Sequence, residues 1–80
     1  MIQELIEELR LWAQMRGVTF KYCFDEDYDC WMFNFSDHSG LWEYPVWISA
    51  DQVCTFNGPV KLLAKPIIDE FERRYNYARI

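Results

Sequence analysis

The chain has 80 residues, 13 Asp and Glu against 8 Lys and Arg, a formal charge of -5, 51% hydrophobic residues and 19% aromatic ones. That length allows one domain over residues 1–80, and so large an aromatic share excludes a disordered chain, because enough surface can be buried to offset the entropy of ordering. The acid excess speaks against direct nucleic-acid binding, and no apolar stretch approaches the roughly 20 residues of a membrane helix.

Ile2, Leu5, Ile6, Leu9, Trp12 and Ala13 recur at helical spacing and predict an amphipathic first helix. Gly17 stands where a helix C-cap favours glycine, with Arg16 complementing the dipole. Leu11 and Met15 lie four apart on the opposite side, beside Glu4 and Glu8, and form a candidate secondary interface. The same segment lacks the basic region and unbroken apolar core of a signal peptide. Three cysteines, Cys23, Cys30 and Cys54, are an odd number and a poor disulfide framework, so a reducing cytoplasm is expected.

Three alternating runs predict strands. Val18, Phe20, Tyr22 and Phe24 share one face of the first. Trp31, Phe33 and Phe35 share one face of the second, and Trp42, Tyr44, Val46 and Ile48 one face of the third. The acidic stretch from Asp25 to Asp29 supplies the first turn, and Asp37-His38-Ser39-Gly40 the second. A simple register pairs Tyr22 with Trp31 and Phe20 with Phe33, which also sets Cys23 opposite Cys30. Pro45 marks the third strand as an edge or a bulge.

Ser49-Ala50-Asp51-Gln52 is a capping-box pattern and predicts a short helical turn ending near Gly58, with Pro59 at a first helical position. Val60, Leu63, Ala64, Ile67, Phe71, Tyr75 and Ala78 then form one stripe of a last helix, which Pro66 either kinks or starts. Asp69/Arg73 and Glu70/Arg74 are expected to pair on its outside. The expected fold class is α+β: a two-layer sandwich of helix, three-stranded antiparallel meander and helix (αβββα). Phe20, Phe24, Trp31, Phe33, Phe35, Trp42 and Phe71 are expected to fill its core.

Candidate chemistry is sparse. His38 lies in a turn, where sequence neighbours do not make a triad, and no nucleophile elbow accompanies Cys23, Cys30 or Cys54. Asp25, Asp27 and Asp29 copy the start of a calcium loop, but Cys30 replaces its glycine and Ser36 its bidentate glutamate. No catalytic residues, metal or cofactor are therefore assigned. The sheet face away from the helices should carry Cys23, Met32, Leu41 and Trp47 among Thr19, Lys21, Asn34 and Glu43, beside the acidic turn. An apolar centre rimmed by charge is how partner-binding faces are composed. The candidate partner-binding residues are Asp25, Glu26, Asp27, Asp29 and Asp37, with Met32 and Trp47 as apolar anchors.

The element order resembles that of the double-stranded-RNA-binding domain, whose last helix opens with a K-K-x-A-K motif. Here the corresponding stretch is Lys61-Leu62-Leu63-Ala64-Lys65, which keeps only Lys61 and Lys65, and the family's G-P-x-H strand loop is replaced by the acidic Asp25 to Asp29 turn. Both groups of phosphate contacts are thereby lost, leaving a likeness of topology. The size, element order, acidity and the stretch Phe33-Asn34-Phe35-Ser36-Asp37 are also similar to the short uncharacterised proteins that bacteriophages and prophages encode. Some of these, the anti-CRISPR and other anti-defence proteins, have no catalytic site and act by occluding a nucleic-acid-binding enzyme. That resemblance implies a non-enzymatic inhibitor in the host-cell cytoplasm whose acidic surface occupies the basic channel of a nucleic-acid-handling protein. A homo-oligomeric accessory module, self-associating through Trp47 and Met32, is the alternative reading. A small metal- or thiol-dependent enzyme using Cys23, Cys30 and His38 is a third.

Overall fold

The fold is that of a computed structural model, which describes every residue except His38, Leu41, Arg79 and Ile80, and describes only the backbone of Tyr77 and Ala78. Six elements follow one another: α1 (Ile2–Arg16), β1 (Thr19–Asp25), β2 (Cys30–Ser36), β3 (Glu43–Ser49), α2 (Ala50–Thr55) and α3 (Val60–Ala78). The strands form one antiparallel sheet in the order β1-β2-β3, so the class is α+β with an open meander and helices packed on one face.

Each helix follows from its local chemistry. α1 buries Leu5, Ile6, Leu9 and Ala13, the middle of its apolar stripe. It ends at Gly17, whose φ of 80° lies in the left-handed region glycine tolerates. There Gly17 N–H donates to the Gln14 carbonyl at 3.3 Å and Val18 N–H to that of Ala13 at 3.0 Å, the paired bonds of a Schellman ending. The predicted capping box starts α2: Ser49 Oγ accepts from Gln52 N–H at 3.1 Å, and Gln52 Oε1 accepts from Ser49 N–H at 3.3 Å. This helix closes at Thr55, short of the expected end near Gly58. Pro59 stands one residue before α3 rather than inside it, and its carbonyl accepts from Leu62 N–H at 3.0 Å. α3 then continues through Pro66 instead of starting there.

The core is a single cluster. Leu5, Ile6 and Leu9 of α1 and Leu63, Ala64, Ile67 and Phe71 of α3 meet Phe33 and Phe35 of β2 and Tyr44 and Val46 of β3. Phe71 is its hub. Its ring lies 5.1 Å from that of Phe35, 5.4 Å from Tyr44 and 5.5 Å from Trp12, mostly edge-on or tilted, as ring quadrupoles favour. Two expected core aromatics are not in it. Trp42 precedes the first residue of β3 and is exposed, and Phe24 lies at the far end of an edge strand, 39% exposed.

The register also differs from the simple one. Phe20 faces Phe35, Tyr22 faces Phe33 and Phe24 faces Trp31, so Cys23 stands opposite Met32 and Cys30 opposite Asp25. The expected juxtaposition of Cys23 and Cys30 is therefore overturned, and all three cysteines are free. The cause is the turn. Asp25 Oδ1 accepts from the N–H groups of Asp27 (3.0 Å) and Tyr28 (3.4 Å), an Asx-turn that closes a tight loop over residues 26–29. Asp29 completes it with φ of 51°, a left-handed conformation that Asp tolerates better than most residues.

Outside the core, the expected Glu70/Arg74 pair of α3 forms and the expected Asp69/Arg73 pair does not. Asp69 takes Lys65 at 3.0 Å instead of Arg73, while Glu70 takes both Arg73 (2.7 Å) and Arg74 (2.8 Å). Those two guanidiniums hold the Glu70 carboxyl down at about 2, against an ordinary 4.5. Arg74 also donates to the Pro45 carbonyl, tying α3 to β3. Arg16 reaches Glu72 at 3.0 Å and lies 5.2 Å over the ring of Tyr75, locking the end of α1 onto α3. No helix among the described residues is long and apolar enough to cross a membrane.

Candidate functional site

The open face of the sheet is built by alternation. Because Phe20, Tyr22 and Phe24 of β1 share the helix side with Phe33 and Phe35, the odd-numbered residues Thr19, Lys21, Cys23 and Asp25 fall on the other side. The register sets three of the candidate residue types in one row across the strands: Cys23 opposite Met32, and Met32 opposite Trp47. Trp47 is 52% exposed, Cys23 is exposed and Met32 half-buried. The next row toward the β1–β2 turn is Asp25, Cys30 and Ser49, so the acidic turn adjoins the apolar row. In the other direction Lys21, Asn34 and Pro45 follow. Asn34 Oδ1 is buried there without a hydrogen-bond partner, a costly state for an amide oxygen.

The acidic turn is held rather than loose. Besides the Asx bonds, the Asp29 carbonyl accepts from Ala50 N–H at 2.9 Å, which fixes the turn to the start of α2. Cys30 Sγ lies 3.1 Å from the Tyr28 carbonyl and donates to it. The Asp25 carboxylate is therefore committed to shaping the turn, leaving Glu26, Asp27 and Asp29 exposed for a partner. Tyr28 projects from the same turn, 77% exposed. Sequence reading passed over it, although an aromatic among four acids in a turn is a visible signal.

The remaining candidates lie elsewhere. Asp37 follows β2 at the opposite end of the sheet, roughly 20 Å along the strand from the acidic turn. Its Oδ1 accepts from Ser39 Oγ at 2.7 Å and its carbonyl from Gly40 N–H at 3.0 Å, so it organises the β2–β3 loop. It does not join the other acids. Leu11 and Met15 are exposed as expected, Met15 at 89%, but on the outer side of α1, with the helix layer between them and the open sheet face. His38 and Leu41 lie outside the described residues.

Among the described residues no three His, Cys, Asp or Glu side chains converge as a metal site would require. A cleft of about 180 Å³ runs between β3 and the helices, lined by Val46, Trp47, Ile48, Gln52, Pro66 and Ile67. It is apolar and smaller than the roughly 300 Å³ at which small-molecule pockets begin, and Trp47 joins it to the open face. Comparison with known protein families, curated protein sequences and solved structures finds no match to this chain.

Proposed function

We propose that the chain is a non-catalytic interaction protein that binds and inhibits a basic, nucleic-acid-handling protein. The observation that carries this reading is continuity: the anchored acidic turn, with Glu26, Asp27, Tyr28 and Asp29 outward, runs directly into the row of Cys23, Met32 and Trp47. Fixed carboxylates steer a basic partner and compete with phosphate for its cationic groups, while an exposed Trp beside Met supplies the desolvated anchor that carries most of an interface's energy. A held turn adds to this by costing little ordering entropy on docking.

The test uses the proteins of a bacterial lysate that bind DNA-cellulose, presented to the immobilised chain. The wild type is expected to retain basic proteins at low salt and release them as salt rises, and the free chain to inhibit their DNA binding. The triple variant Glu26→Gln, Asp27→Asn, Asp29→Asn keeps Asp25 and the turn, and should retain none. Equal retention by the wild type and this variant, or retention of nothing by either, overturns the reading.

A further inference from the structure

The sheet has two edges, and β3 is the more strongly protected against further pairing, since β1 carries only Lys21 as an edge charge. Pro45 withholds an N–H there, the carbonyl of Pro45 is taken by Arg74, and α2 and α3 pack on that strand. β1 has no proline and no bulge. Its seven residues pair with β2 in unbroken register, so on its outer flank alternate N–H and C=O groups face away from the sheet. Its helix-side aromatics are also incompletely covered, Tyr22 at 44% and Phe24 at 39% exposed, although Phe20, Tyr22, Phe24 and Trp31 form a continuous run of ring contacts at 5.0–6.5 Å.

We infer that β1 pairs with β1 of a second copy, antiparallel about a two-fold axis through Tyr22, to make one six-stranded sheet. The strand Thr19-Phe20-Lys21-Tyr22-Cys23-Phe24-Asp25 is self-complementary about its centre. In that register Tyr22 meets the partner's Tyr22, Phe20 meets the partner's Phe24, and the half-covered aromatics of the two chains become a single ladder. On the opposite face Lys21 stands opposite the partner's Cys23, with the partner's Asp25 on one diagonal and the partner's Lys21 on the other, so the charges on that face offset and the aromatic ladder carries the pairing. The same geometry handles the net charge of -5 on each chain. Antiparallel pairing sends the two acidic turns to opposite ends of the strand pair, about 20 Å apart, beyond the Debye length of about 8 Å at physiological salt. A parallel arrangement would bring them together.

Seven residues a side make a small interface, in the class below about 1,200 Å², so dissociation in the micromolar range is expected. Residual repulsion between two acidic chains makes self-association strengthen with salt, whereas capture of a basic partner weakens with it. The two proposals therefore stand or fall separately.

Sedimentation equilibrium from about 1 μM to 1 mM checks the pairing, with a mass of twice the 9.8 kDa chain expected at the upper end. Tyr22→Lys or Phe24→Lys, both at half-exposed positions, should raise the dissociation constant at least about tenfold while circular dichroism reports a folded chain. Tyr22→Cys in a chain whose Cys23, Cys30 and Cys54 are serine should give a covalent dimer on mild oxidation, which keeps the inference testable if a lysine variant fails to fold. A wild type that stays monomeric to the highest concentration overturns it. So does a dimer that survives both lysine substitutions and is lost with Trp47→Glu, which would place the contact on the open face.

Discussion

At the β3 edge of the sheet, Pro45 offers no donor, Arg74 occupies the Pro45 carbonyl, and Tyr44 and Val46 are buried under α3. At the β1 edge, the strand is regular, its flank carries only Lys21 as a guard, and Tyr22 and Phe24 are half open although they carry the same inward parity as the buried Phe33 and Phe35. The two edges have similar apolar alternation in sequence. What separates them is the placement of the helices: α2 and α3 both lie against β3, while α1 alone lies against β1. Similar strand chemistry becomes core where two helices cover it and half-open surface where one does.

Substitutions that probe this contrast are expected to differ most at the aromatics. Phe71→Ala, at the hub beneath β3, should cost about 3–5 kcal/mol in urea unfolding, because a fully buried ring leaves a cavity that its neighbours cannot close. Phe24→Ala, on the open edge, should cost about 1 kcal/mol when measured at low concentration, since much of its ring is already in water. Comparable losses at the two sites would abolish the distinction between the edges. The capping box that joins β3 to α2 comes next: Ser49→Ala should cost about 1 kcal/mol by freeing the N–H of Gln52.

In the opposite direction, Asn34→Val on the central strand should stabilise the chain by up to about 1 kcal/mol, because it removes a buried oxygen that has no donor. If the open face takes a partner through this row, the same substitution weakens binding while raising the midpoint of unfolding, a divergence that two measurements on one variant would reveal. The smallest effect concerns pH. Glu70 is held down at about 2 by Arg73 and Arg74, so its contribution is fully present above its ordinary value of 4.5 and is lost as pH falls from there toward 2. Glu70→Gln should flatten the stability profile within that window and, above about pH 5.5, lie below the wild type by a constant amount. A parallel profile for the variant would remove the ion pairs from the account of how α3 holds β3.

Much of the fold is readable from particular residues. The stripe of Leu5, Leu9 and Ala13 and the stripe of Leu63, Ile67 and Phe71 repeat at about 3.6 residues, and both faces are buried where the periodicity places them. Ser49 and Gln52 announce a helix start because two reciprocal bonds need those side chains three apart. The strand register was not readable in the same way. A slip of one residue would turn every side chain to the wrong face, but a slip of two leaves each on its own side, so alternation cannot tell the pairing of Tyr22 with Phe33 from that with Trp31. The carboxylate of Asp25 made that choice, by bonding to Asp27 and Tyr28 and closing a shorter turn.

The candidate site divides along the same line. Met32 and Trp47 are neighbours because strand parity and antiparallel pairing both follow from local pattern, and their partnership with the acidic turn follows from chain continuity. Asp37 resembles the other acids in sequence but is separated from them by the length of β2, and the open flank of β1 carries no pattern that alternation could flag.

An acidic, aromatic chain of 80 residues thus determined by itself its class, its element order, the faces of its helices and strands, the end of α1 and the start of α2, because each depends on contacts within a few residues. Only the tertiary structure decided how far each helix reaches across the sheet, and hence which aromatics are core and which edge stays open, because coverage depends on the relative placement of elements distant in the chain.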